Sequence, residues 1–73
     1  PVVEEVRQAI AEHHVWPTSP QIVDLHVWRV GREKFSVIVS LTTADASVTP
    51  AAVRRVLAQH DELAHVSVEV NRV

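Results

Sequence analysis

The sequence predicts an α+β fold, a two-layer open-faced sandwich in which two helices cover one side of a three-stranded mixed sheet. Three observations predict it. Apolar residues recur at helical spacing in two segments. β-Branched and aromatic residues alternate with polar ones in three others. The segments run in the order helix, strand, strand, helix, strand, so a hairpin is followed by a helical crossover to a third strand.

The first helix is predicted over residues 2–14. Val3, Val6 and Ile10 form its apolar stripe, with Glu4, Glu5, Arg7 and Gln8 between them. Glu4 and Glu5 in the first turn and His13 and His14 in the last suit the helix dipole. Pro17, Thr18, Ser19 and Pro20 end it. Residues 21–30, QIVDLHVWRV, read as the first strand, Gly31, Arg32 and Glu33 as a short turn, and residues 34–42 as the second strand of a hairpin. Residues 43–48 are a loop. Thr49 then supplies an N-cap hydroxyl and Pro50 the first position of a second helix, which runs to about His60 with Val53, Val56, Leu57 and His60 on one face. Asp61 and Glu62 begin the next loop, and Leu63 folds back on the core. Residues 65–72, HVSVEVNR, alternate cleanly as the third strand. This plan is related to the ferredoxin-like one with one strand missing.

Strand side chains alternate between faces, which splits each strand in two. The apolar sets are Val23, Leu25 and Val27; Phe35, Val37, Val39 and Leu41; and Val66, Val68 and Val70. These are expected beneath the helices. The opposite face then carries Ile22, Asp24, His26 and Trp28 from the first strand. Ser36, Ile38, Ser40 and Thr42 come from the second, and His65, Ser67, Glu69 and Asn71 from the third. An uncovered sheet face is ordinarily polar, so Trp28 and Ile38 mark it as a contact surface for a partner or a second copy, the plain alternative being that Trp28 packs against its own hairpin or a loop.

Composition bounds the function. The chain has 73 residues, enough for one domain with a modest core. Apolar residues make up 47% and charged residues 22%, a globular balance. Cysteine is absent, which removes disulfides and thiolate metal sites and leaves self-association as a further source of stability. The net charge of −2 argues against a nucleic-acid partner. No apolar run approaches the length of a membrane span. Gly31 is the only glycine, so a phosphate-cradling loop is excluded. The chain opens directly on a helical pattern at Pro1, which reads as a segment of a longer protein. A nucleophile in a sheltered, strained setting is lacking: Ser36, Ser40 and Ser67 all fall in strands, so no enzymatic activity is expected.

The stretch Asp24-Leu25-His26-Val27-Trp28 continues into RVGREKFSVIVSL, and the chain closes on HVSVEV after a short helix opened by Thr49-Pro50. DLHVW in this setting resembles the signature of the C-terminal domain of the cation diffusion facilitator family, and the resemblance covers nearly the whole chain. It implies a cytoplasmic, metallochaperone-like αββαβ domain attached to a six-helix membrane part. That part would export zinc, cobalt, nickel or a related divalent ion, usually against protons. It also implies a V-shaped homodimer in which metal bound at or between the two domains favours the transport-competent state. The expected partners are therefore a second copy, the transmembrane domain of the same chain and divalent metal ions, at the cytoplasmic face of a membrane. The DLHVWRVG form resembles a cobalt- or nickel-associated branch. The chain departs from the better-known metal-binding members. Val23 stands where many zinc exporters carry His, Val39 where several have His, and Val70 and Arg72 where some have His and an acid.

Imidazole and carboxylate groups suit zinc, cobalt and nickel when two or three converge. His26 belongs to the matching motif and shares the open face with His65, Glu69 and Asp24, and these four are the candidate metal ligands. They converge on one ion only if the first and third strands adjoin. With the second strand between them the span is about 10 Å, and ligands would have to come from two protomers. The plain alternative for His26 is a structural imidazole bonded to Asp24. Adjacent His13 and His14 point about 100° apart on a helix and do not chelate together. His60, with Asp61 and Glu62 nearby, reads first as a helix terminus. A second functional reading is a small ferredoxin-like ligand-binding or protein-interaction module with no metal role.

Overall fold

The computed structural model describes residues 2–12 and 16–73. The element order is α1 (Val2–Ala11), β1 (Gln21–Gly31), β2 (Lys34–Thr43), α2 (Pro50–Leu57) and β3 (Leu63–Arg72), the predicted αββαβ sandwich. No described helix is long and apolar enough to cross a membrane.

The sheet order is β1-β2-β3, with β1 antiparallel and β3 parallel to the central β2. Across the core face the rows are Ile22–Leu41–Val70, Leu25–Val39–Val68, Val27–Val37–Val66 and Arg29–Phe35–Leu63. Val37, Val39 and Leu41 are buried there with Val6 and Ile10 of α1 and Val53, Val56 and Leu57 of α2. Both helices therefore lie on this one side. Each fully buried Leu or Ile contributes about 1.5–3 kcal/mol.

Local chemistry fixes the ends of α2. The Thr49 hydroxyl accepts from the Ala52 amide at 3.1 Å, and Pro50 occupies the first turn, where its missing N–H leaves nothing unbonded. Val48 precedes the cap and Val53 lies in the next turn, and both are fully buried. This is the hydrophobic-staple spacing, and it explains why a residue from an irregular loop joins the core. Thr49→Ala is expected to lower stability by about 1 kcal/mol, read as a shift of the urea midpoint with an unchanged slope.

Several expectations are corrected. Val23, placed by alternation under the helices, is 55% exposed, and Ile22, placed on the open face, packs against the core instead. A β-bulge between Ile22 and Asp24 adds one residue to β1 and reverses the alternation before it. A second irregularity separates Arg29 from Gly31, and another in β3 lets Leu63 pair with Phe35 while His65 pairs with Ser36. As a result β3 begins at Leu63 rather than at residue 65. The helix α2 closes at Leu57 rather than near His60, because the Ala58 amide makes the last helical bond to Arg54 and the His60 amide turns back to the Leu57 carbonyl. The helix α1 ends at Ala11; His13 and His14 lie outside the described residues. Trp16, which no periodic segment claimed, is buried in the core.

The strands outrun the helices. Ten or eleven residues of strand span about 33 Å, whereas α1 and α2 reach only about 12–15 Å. The molecule accordingly measures 37 Å along its longest axis and about half that across, 20 × 19 Å. Toward the hairpin, the Arg29 guanidinium sits over the Phe35 ring, 5.7 Å from its centroid, and supplies part of its cover.

Candidate functional site

The uncovered face is a regular grid. Its rows are Gln21–Thr42–Asn71, Asp24–Ser40–Glu69, His26–Ile38–Ser67 and Trp28–Ser36–His65. Ile38 is thus at the centre of the three rows that carry the candidate residues. Asp24 and Glu69 occupy two corners, and Trp28 and His65 the other two. Trp28 is 45% and Ile38 43% exposed. Ser36 lies on this same helix-free side yet is buried. Its flanking neighbours in register are Trp28 and His65, the bulky groups able to cover it.

The parity reading of Trp28 and Ile38 as open-face residues agrees with this register. The bulge lies N-terminal to both, so it leaves their facing intact. Val30, within the second irregularity and just beyond Trp28, adds another exposed apolar side chain. Sequence reasoning passed over it because the strand was taken to end there.

Asp24 and His26 pair along β1, with Nε2 of the imidazole 3.0 Å from the carboxylate and both side chains well exposed. A carboxylate only accepts, so Nε2 carries the donated proton. Glu69 is held on the same face at the opposite edge of the sheet: its Oε1 accepts from the Ser40 hydroxyl at 3.2 Å and from the Asn71 amide at 3.3 Å. The His65 imidazole makes no hydrogen bond or ion pair with another described residue.

The four candidate ligands share one face but not one point. The central strand β2 separates the Asp24–His26 pair from His65 and Glu69 by two strand spacings, about 10 Å. Among the described residues, no three of His, Asp or Glu are grouped so as to hold an ion. A single chain therefore does not assemble the expected metal set from His26, His65, Glu69 and Asp24. The groups around the second helix do no better. His60 Nδ1 lies 3.9 Å from Glu62, beside a shallow groove between α1 and α2 that is lined by Glu5, Gln8, Glu12 and Gln59.

Arg72 does structural work here. Its guanidinium donates to the carbonyls of Asp45 at 2.6 Å and Ala46 at 3.5 Å, tying the loop before α2 to the end of β3. Within that loop the Ser47 hydroxyl and amide both donate to Asp45 Oδ1. These bonds, with the Arg72 charge, hold the Asp45 carboxyl below the usual carboxylate range.

No protein-family model, curated protein or solved structure matches the chain.

Proposed function

We propose that this chain is the cytoplasmic dimerisation and metal-responsive domain of a divalent cation exporter of the cation diffusion facilitator type. The observation that carries the reading is the exposed Trp28 and Ile38 on a sheet face that the chain's own helices leave open. Trp28 also closes the DLHVW motif through which the chain resembles that family. In this reading two open faces meet, and the relative position of the paired domains biases the membrane helices attached to each. Coupling of about 1–3 kcal/mol between the two arrangements is enough to modulate transport.

A response to zinc, cobalt or nickel through the open face would use groups from two protomers, since the described residues of one chain bring no three together. The expected result is a rise in Tm of the dimer on adding any of these ions, because a ligand of the folded state stabilises it by mass action. Calorimetric titration with no heat and no midpoint shift removes the metal response and leaves dimerisation in place.

The same wide spacing of imidazoles and carboxylates favours the second reading, a module that binds a partner or small ligand without metal. The full reading frame separates the two. Six hydrophobic spans preceding this domain support the exporter, and a fused catalytic domain supports the module.

A further inference from the structure

We infer that the occupant of the open face is a second copy in one specific orientation, strands antiparallel and β2 over β2, with Glu69 of each protomer against the partner's His65. This rests on the reading of that face as a dimer seam and goes on to fix its geometry.

A self-complementary face-to-face contact has its two-fold axis in the plane of the interface. Stacked sheets pack either nearly aligned or nearly orthogonal. With Ile38 at the centre, four arrangements of the corner residues follow from the observed register. An axis along the strands lays Asp24 on the partner's Glu69. Each of the two orthogonal crossings lays one carboxylate on its own copy, Asp24 on the partner's Asp24 or Glu69 on the partner's Glu69. An axis across the strands, along the His26–Ile38–Ser67 row, lays Asp24 on the partner's Trp28 and Glu69 on the partner's His65. Only this last arrangement opposes no two carboxylates. Like charges brought together in a contact that excludes water cost several kcal/mol, about tenfold in affinity per 1.4 kcal/mol.

The internal bonds point the same way. His26 already has Asp24 at 3.0 Å, and Glu69 Oε1 is engaged by Ser40 and Asn71. The other Glu69 oxygen and the imidazole of His65 have no hydrogen-bond or ion-pair partner among the described residues. The antiparallel arrangement unites these two remaining groups twice, once on each side of the axis.

The test is sedimentation equilibrium at low salt on the intact chain and three charge variants, with circular dichroism confirming that each is folded. Glu69→Lys is expected to weaken the dimer about tenfold or more, since it removes the acceptor that faces the partner's His65 and leaves an unpaired cation in the contact. His65→Glu is expected to weaken it comparably, and the double variant to recover most of the affinity. A dimer that is lost on Trp28→Ala but tightened by Glu69→Lys has the axis along the strands, which overturns the orientation and leaves the seam in place. Failure of the double variant to recover overturns the orientation as well. A chain that stays monomeric at every concentration overturns both.

Discussion

Leu41→Ala is expected to bring the domain to the edge of unfolding. Leu41 is fully buried on the central strand, between Ile22 and Val70 in register and beneath the helices. Removing three carbons there costs about 2–5 kcal/mol, the loss of transfer energy plus the cavity left behind. At about 0.05–0.15 kcal/mol per residue, a chain of this length holds roughly 4–11 kcal/mol in total. Urea denaturation of the pure variant should show a collapsed baseline or a midpoint displaced to low denaturant. Val23→Ala is the control. Simple alternation places Val23 in the core, but the bulge turns it to solvent, so its replacement should change stability by less than about 0.5 kcal/mol. Equal losses at the two positions would contradict the register of β1.

Trp28→Ala is expected to separate the dimer without unfolding the monomer. Tryptophans buried in an interface are among the residues that commonly contribute about 2 kcal/mol or more, about thirtyfold in affinity. Trp28 is nearly half exposed in the single chain and lies on the side opposite the core, so the thermal midpoint of the monomer should move little. Sedimentation velocity over a concentration series reads the association directly. A variant that remains dimeric would move the seam to another surface, the free edges of β1 and β3 first among them.

The five elements and their order were legible because their signals are local. Apolar stripes at helical spacing, alternation in β2 and β3, and the Thr49–Pro50 start each need only a few neighbouring residues. The open face was legible for the same reason, since alternation from Asp24 onward runs undisturbed through Trp28. What escaped depends on partners distant in sequence. The bulge at Val23 exists only in relation to the register with β2, and the central place of β2 depends on which edge the crossover from α2 reaches. That one fact keeps the four candidate ligands from sharing one ion within the chain, because it holds His26 and Asp24 two strands away from His65 and Glu69. Trp16 and Val48 lie in irregular segments where no period marks them as core. For Val48 the signal was present in its place just before the Thr49 cap, five residues from Val53.

The chain's two tryptophans allow a direct test that the helix-free face is where copies meet. Trp16 is buried in the core and Trp28 is exposed, so acrylamide quenching of the unmodified protein reports mainly on Trp28. The account predicts that the quenchable share of fluorescence falls as concentration carries the protein from monomer to dimer. Unchanged quenching across a sedimentation-verified transition would show that Trp28 stays in water in the dimer, and that copies join through a different surface.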